Sequence, residues 1–294
     1  MKIIAAFLVS LSFIALSGCN GDQPVEPIRV FPDAPEPTPF TRAYSMTEAP
    51  DGIRVFVQEE GDQTLMYFVE REGAGWSEPA EVDLPHRGML TGPHFSRFDD
   101  AFYFSSNAAY PGREGASDLN IWRAVYLGQG RFDEAEPLPM PQVNTGANEI
   151  GTATTEDGLL LFVTNHSRSG SGGYDVMQAR LNSEGEWASE TMPEGFNDRL
   201  SDDHIAMDPL GRWVIFYSHR QPKFGGVDLW ISERDSEGSW QTPINLGSFI
   251  NTSAIEFGAG LSWDNETFFF SRDGALFEVP IAAVLSAERT VASD

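Results

Sequence analysis

Three acidic residues stand at matching positions along the chain and carry side chains suited to acid–base chemistry. Each lies fifteen residues before a hydroxyl residue that ends an apolar stretch: Glu149 before Thr164, Asp203 before Ser218, and Glu256 before Ser271. Two carboxylates held about 5 to 9.5 Å apart can cleave a glycosidic bond, one as acid and the other as base or nucleophile. The spacing therefore raises one hypothesis, a hydrolytic or sugar-binding site.

The same carboxylates also fit a structural role. Catalytic carboxylates need different surroundings, because their pKa values must be held apart. Here the acids recur at one position of a repeat, and an Asn-Thr pair stands shortly before both Glu149 and Glu256. We therefore favour a shared structural role, in which they accept backbone N–H bonds between neighbouring units, and keep catalysis as the alternative.

The other polar positions indicate neither a metal nor a cofactor. Asp118, Asp175 and Asp228 each follow a Gly-rich loop, where an Asp is expected to accept bonds from loop amides. The five histidines lack metal-ligand spacing, and no phosphate-binding loop or nucleophile elbow occurs. A calcium site at the acidic pairs Asp99-Asp100 or Asp202-Asp203 stays an alternative, although the spacing of an EF-hand is absent.

The elements that must position these residues form a repeat of about 53 residues. Each copy contains an apolar strand, a Gly-rich loop, an Asp, a second strand and a Trp or Phe. Asp175 to Asp228 spans 53 residues, as does Trp187 to Trp240. Two hairpin-turn signals in each copy indicate about four strands, which is typical of a propeller blade.

Five copies can be aligned by the residues that end the first apolar strand, at positions 58, 105, 164, 218 and 271. Tight turns are predicted at four dipeptides: Asp51-Gly52, Asp157-Gly158, Leu210-Gly211 and Asp264-Asn265. The repeated tryptophans are predicted to fill the space between blades. The last copy is truncated, so we expect the segment near Pro27 to Phe31 to supply a strand that closes the ring.

The sequence thus predicts an all-β protein with a single β-propeller over residues 41–294, most simply five blades of about four antiparallel strands. Approximate blades are 41–88, 89–143, 144–197, 198–250 and 251–294. Residues 1–18 are predicted to be a lipoprotein signal peptide. Residues 19–40 are predicted to be a lipidated Cys followed by a Pro-rich, acidic linker.

The N-terminal segment predicts export and lipidation. Met1-Lys2 is basic, and the stretch that follows is apolar but too short to cross a membrane. Leu16-Ser17-Gly18-Cys19 resembles the lipobox of bacterial lipoproteins, which implies cleavage before Cys19 and lipidation of this residue, the only cysteine. Asn20 rather than Asp follows, which favours the outer membrane and a periplasmic location.

The charge balance restricts the partners. Asp and Glu number 44 against 19 Lys and Arg, so the net charge is −25. Nucleic acid is not expected as a partner, because phosphate contacts need a basic surface. Anionic lipid would repel the domain, so membrane contact is expected only through the lipid anchor.

The repeat resembles the WD40-like β-propeller repeat of TolB and related exported bacterial proteins. The segments that fit its pattern best are Phe104-Ser105-Ser106-Asn107, Gly225-Gly226-Val227-Asp228-Leu229-Trp230 and Trp240-Gln241-Thr242-Pro243-Ile244-Asn245-Leu246-Gly247. The resemblance implies an interaction scaffold in the cell envelope.

We therefore predict a lipid-anchored, non-enzymatic scaffold for envelope proteins. Aromatic and Arg side chains on loops are favoured partner contacts. The candidates are Tyr110, Arg113, Arg168, Arg220 and Phe224. The alternative is a carbohydrate-active propeller, hydrolytic or glycan-binding, that uses Glu149, Asp203 and Glu256.

Overall fold

Five antiparallel β-units surround a central channel in the computed structural model, which describes residues 25–32, 42–166 and 173–287. The innermost strand of each unit contacts the innermost strand of the next, and the fifth contacts the first. This closed ring confirms the predicted all-β propeller with five blades of about four strands.

The strands follow the chain blade by blade, except for β1 (Ile28–Arg29), which belongs to the fifth blade. The first blade contains β2 (Ala43–Glu48), β3 (Arg54–Glu60), β4 (Gln63–Val69) and β7 (Ala80–Glu81), beside a hairpin of β5 (Arg71–Glu72) and β6 (Gly75–Trp76). The second contains β8 (Leu90–Phe95), β9 (Ala101–Ser106), β10 (Asn120–Gly128), β11 (Arg131–Phe132) and β12 (Glu136–Pro137). The third contains β13 (Glu149–Thr154), β14 (Leu160–Thr164), β15 (Asp175–Leu181) and β16 (Trp187–Thr191).

The fourth blade contains β17 (Asp202–Met207), β18 (Trp213–Ser218), β19 (Asp228–Glu233) and β20 (Ile244–Asn245). The fifth contains β21 (Glu256–Leu261), β22 (Thr267–Arg272), β23 (Ala275–Pro280) and β1. A helix, α1 (Ile281–Ser286), follows. Among the described residues, no helix has the length and apolar character needed to cross a membrane.

The ring is closed by the N-terminal strand, as the sequence predicted. β1 pairs with β23 in antiparallel fashion, with Ile28 opposite Glu278, and the Val30 N–H donates to the Leu276 carbonyl at 2.9 Å. Val30 is buried, and Phe31 packs 5.5 Å from Phe56 of the first blade. The closing strand therefore contributes both backbone bonds and core contacts.

Apolar side chains fill the interfaces between blades. The second strand of each blade is covered on both faces, and all five residues of β14 are buried. Trp240 packs in a cluster shared by the third and fourth blades, and Trp187 lies between the second and third. Trp76 lies between the fifth and first. The predicted role of these tryptophans is confirmed.

The predicted tight turns adopt the left-handed backbone that they require. Gly52, Gly158, Gly211 and Asn265 all have positive φ, between 62° and 83°. The second blade makes the corresponding turn with Asp100, at φ 52°, which the sequence pattern had not indicated. Asn and Asp tolerate this region better than other residues with a side chain.

A residue with positive φ also occurs in the innermost strand of every blade, at the third position of the strand. These residues are Ser45, Gly92, Gly151, His204 and Gly258, with φ between 48° and 68°. The neighbouring backbones approach closely here, since a Cβ on Gly92 would lie 2.7 Å from the Gly151 nitrogen. His204 therefore holds a conformation that costs about 1 to 3 kcal/mol for a residue with a side chain.

The innermost strands all run in the same direction relative to the channel. We call the face at which they begin the top face, and the face at which they end the bottom face. The loops that connect second and third strands also lie on the top face, because those strands are antiparallel to their neighbours.

Candidate functional site

Glu149 holds the loop that leads into the third blade. Its side chain is buried and accepts bonds from the Thr145 N–H at 2.8 Å, the Thr145 hydroxyl at 2.6 Å and the Thr164 hydroxyl at 2.7 Å. These donors belong to the loop and to β14, so the carboxylate joins the two. This arrangement is structural in kind, but its donors are one backbone N–H and two hydroxyls of the third blade and its entry loop, and not amides of a neighbouring blade.

Glu256 has a related arrangement in the fifth blade. Its Oε1 accepts from the Thr252 hydroxyl at 2.6 Å and from Arg272 Nε at 2.9 Å. The carboxylate is fully buried, so the ion pair with Arg272 lies largely out of water.

The fourth blade uses Asp202, and not Asp203, at this position. Asp202 lies opposite Ser218 in the sheet, as Glu149 lies opposite Thr164. It accepts from the Asp198 N–H at 2.5 Å and from Arg220 at 2.7 Å. The predicted equivalence of Asp203 with the two glutamates is wrong, because the β17–β18 hairpin is one residue longer than the β13–β14 hairpin.

Asp203 instead lines the top of the central channel. It is 3% exposed and accepts a bond from the His204 N–H, while His204 Nδ1 lies 3.6 Å from Asp203 Oδ2. The His204 ring contacts three aromatic rings, with centroid distances of 5.3 Å to Tyr44, 5.3 Å to Tyr217 and 5.6 Å to Phe257. One carboxylate and an aromatic cluster thus meet at the channel.

Burial shifts the titration of the groups around this cluster. It raises the pKa of Asp203 above its ordinary value, and the nearby His204 opposes that rise. Burial also raises the pKa of Tyr44 to about 12, and raises the pKa of Tyr217, whose hydroxyl bonds Asp203. A charged group at this end of the channel is therefore poorly solvated. Its charged form costs free energy unless a partner of opposite charge or a hydrogen-bond donor lies beside it.

A cavity of about 170 Å³ opens beside Asp203 and His204. Its apolar wall includes Met89, Leu119 and Ile150, and its polar wall includes Tyr44 and Thr152. Two buried polar atoms around it, His204 Nδ1 and Thr152 Oγ1, have no hydrogen-bond partner. A cavity with a few converging polar groups is the usual form of a ligand site.

The sequence pattern identified Asp203 but missed the other channel-lining residues, His204 and Tyr44 among them. A signal was present, because three innermost strands carry Gly at the left-handed position, whereas the first and fourth carry Ser45 and His204. A residue with a side chain at a position that favours Gly has a strained backbone, which is a reason to look for a function of that side chain.

The repeated Asp residues that follow the loops have two different partners. Asp228 accepts bonds from the Phe224 and Gly225 N–H groups at 2.7 and 3.0 Å, as predicted. Asp118 instead forms a two-bond pair with the Arg113 guanidinium, at 2.9 and 3.0 Å. Asp175 is buried at the start of β15.

Most of the predicted partner contacts are engaged within the chain. The Tyr110 hydroxyl donates to the Leu138 carbonyl at 3.1 Å, and Arg113 is paired with Asp118. The Arg220 side chain is 10% exposed and paired with Asp202. These three residues hold loops within the chain, and their contact with a partner stays a prediction. Phe224 is exposed, and Arg168 lies outside the described residues.

Four exposed apolar side chains lie on the top face. Two of them, Met89 and Ile255, immediately precede the innermost strands β8 and β21. Leu200 lies two residues before β17, and Phe224 lies on the loop between β18 and β19. Their exposed fractions are 38%, 39%, 55% and 43%, respectively.

Near the bottom of the channel, His94 accepts a hydrogen bond that only its unprotonated ring nitrogen can accept. The Thr154 N–H donates to His94 Nε2 at 3.0 Å. Burial lowers the pKa of His94 to about 4, and Asp99 opposes that shift.

We expect this histidine to make the fold sensitive to acid. The unfolded chain, with a His pKa near 6.5, binds the proton before the folded chain, so stability is full above about pH 6.5 and is lost as the pH falls toward 4. The Gln of His94→Gln cannot be protonated. Over this pH interval, the free energy of unfolding of the variant should therefore fall by up to about 3 kcal/mol less than that of the wild type. Denaturant unfolding at several pH values tests this, and parallel curves for the two proteins would contradict it.

Neither a metal site nor the predicted anchor is visible in the described part of the chain. Within residues 25–32, 42–166 and 173–287, no group of three His, Cys, Asp or Glu side chains could hold a metal ion. Cys19 lies outside these residues.

The closed ring of five blades defines a β-propeller protein. No family model matches the chain, and no curated protein matches it. Among solved structures, one described as a glycoside hydrolase has a TM-score of 0.57 and 9% identity, over 92% of this chain and 95% of that chain. A BT0996 RGII complex has a TM-score of 0.54 and 9% identity over the same shares.

TolB from Acinetobacter baumannii is also similar, with a TM-score of 0.47 and 13% identity over 85% of this chain and 55% of that chain. At identities this low, structural likeness shows the fold alone, because one propeller architecture supports many unrelated functions.

Proposed function

We propose that the protein is a lipid-anchored β-propeller of the bacterial cell envelope that binds protein partners through its top face without catalysing a reaction. The observation that carries this proposal is the engagement of the repeated carboxylates. Glu149, Asp202 and Glu256 are buried and bonded to donors of the chain itself, so they hold the top-face loops.

The composition of the top face supports a protein partner. Met89, Leu200, Phe224 and Ile255 expose apolar surface on loops anchored by buried carboxylates and arginines. Apolar and aromatic groups on a rigid support are the usual centre of a protein interface.

The N-terminal motif supports the proposed location. A lipidated Cys19, followed by Asn20 and a Pro-rich segment, would hold the propeller at the outer membrane, facing the periplasm. Globomycin treatment, which blocks lipoprotein signal cleavage, should cause a larger precursor to accumulate, and Cys19→Ser should release the protein from the membrane fraction.

Crosslinking in intact cells, followed by affinity capture and quantitative mass spectrometry, tests the scaffold function. We expect an envelope protein to be captured in stoichiometric amounts, and Leu200→Ser with Phe224→Ser to reduce its capture at least tenfold. Leu210→Ser is the matched control, since Leu210 is 64% exposed but lies on the bottom face between β17 and β18. Equal capture by both variants would contradict binding at the top face.

Glycan binding is the second candidate, and the channel favours it. Aromatic rings and hydroxyl groups beside one carboxylate are suited to a sugar, and one similar structure is described as a glycoside hydrolase. Hydrolysis by the repeated carboxylates would require them to leave their present partners. A glycan-hydrolysis screen with Glu149→Gln, Asp203→Asn and Glu256→Gln tests it. Loss of turnover in folded variants would establish the hydrolytic form of this candidate.

A further inference from the structure

We infer that the cavity beside Asp203 binds one cationic side chain, a lysine or an arginine, presented by a basic protein partner. This inference rests on the proposed scaffold function, since it names the group that the partner inserts at the top face. It is carried by the geometry of the cavity and by the ion pairs of the neighbouring carboxylates.

Asp203 differs from Asp202 and Glu256 in its lack of a permanent cation. Asp202 is paired with Arg220, and Glu256 is paired with Arg272. Among the described residues, the only ion-pair contact of Asp203 is His204, whose Nδ1 lies 3.6 Å away, beyond hydrogen-bond distance. A buried carboxylate without a fixed counter-charge is costly, and a bound cation would remove that cost.

The cavity matches a long side chain with a charged end. Its volume of about 170 Å³ has room for several water molecules or for one lysine or arginine side chain. Met89, Leu119 and Ile150 provide an apolar wall for the methylene groups. At the polar end, the Thr152 hydroxyl and the Asp203 carboxylate can accept hydrogen bonds, and the Tyr44 ring offers a cation–π contact.

The charge of the molecule also favours a cation over a sugar. At a net charge of −25, the protein attracts basic partners, and a concave site with a buried carboxylate concentrates that attraction. A neutral sugar would satisfy the hydroxyl groups but would leave Asp203 without a counter-charge.

The test is a calorimetric and NMR titration of the full chain with N-acetyl-arginine methylamide and with its neutral isostere, N-acetyl-citrulline methylamide. We expect the arginine derivative to bind and the citrulline derivative to bind at least tenfold more weakly. Asp203→Asn should weaken binding of the arginine derivative by about 10- to 100-fold, the effect of losing a charged hydrogen bond.

Asp62→Asn is the matched control, because it removes the same charge from an exposed position at the β3–β4 turn. It should leave the affinity within twofold. If Asp203→Asn fails to fold, Met89→Trp provides a second variant, since Met89 is a partly exposed residue of the cavity wall and a larger side chain there should block entry.

Equal affinity for the two derivatives, no binding, or binding of hexoses in their place would overturn the inference. The proposed function is judged separately by partner capture. A partner lost in the Leu200 and Phe224 variant but retained by Asp203→Asn would uphold the scaffold and overturn the cationic anchor. Arginine binding without any captured partner would overturn the scaffold, and with it the protein source of the cation.

Discussion

Deleting residues 25–32 is expected to lower the free energy of unfolding by about 4 to 6 kcal/mol, far more than the loss of a flexible tail. The deletion removes β1 and its pairing with β23, the bond from Val30 to Leu276, and the packing of Phe31 on Phe56. Losing one buried apolar side chain typically costs about 2 to 5 kcal/mol, and the deletion also exposes a sheet edge. Urea unfolding followed by tryptophan fluorescence measures the change.

Two further proteins make this result specific to the closing strand. Replacing residues 33–40 with a Gly/Ser segment of equal length should cost less than about 1 kcal/mol, since β1 is retained. A synthetic peptide of residues 25–32 should restore part of the stability of the deleted protein. If the deletion and the replacement have the same small effect, β1 does not close the ring in solution.

Glu149→Ala is expected to destabilise the protein by about 3 to 5 kcal/mol, because it leaves three buried donors without an acceptor. Glu149→Gln retains one acceptor oxygen and should cost less. Glu156→Ala is the control, since its carboxylate is 47% exposed and lies 3.4 Å from Arg97, a pair worth about 0 to 1 kcal/mol. Thermal and urea unfolding give the three values.

The result also separates the structural and catalytic roles of Glu149. A structural carboxylate predicts a large loss of stability in Glu149→Ala. A Glu149→Ala protein as stable as the wild type would contradict that role and would return Glu149 to the catalytic candidates.

The architecture could be predicted because each blade repeats the same local requirements. Turn residues such as Gly52 and Gly158 must take positive φ, and apolar strands such as β14 must be covered on both faces. The truncated last copy also predicted the closing strand correctly, since a ring with a missing strand needs a donor from elsewhere in the chain.

The site could be predicted only in part, because residue counting does not reveal hairpin length. Fifteen residues separate Glu149 from Thr164, whereas sixteen separate Asp202 from Ser218, its partner in the sheet. That one residue moves Asp203 from the structural position to the channel. Loop contacts were equally hidden, since Arg113 and Arg220 are bound by carboxylates of their own blades.

Because the ring is closed by an N-terminal strand, the propeller is mechanically weakest when force is applied from the N-terminus. The N-terminal segment enters the propeller through β1, which is joined to β23 over only two residue pairs. Tension applied from the N-terminus is therefore carried first by this short pairing, before any of the longer strand pairs. Detachment of β1 would leave the outer edge of β23 open, so a pull on the N-terminal segment would act directly on the joint that keeps the five blades in a ring.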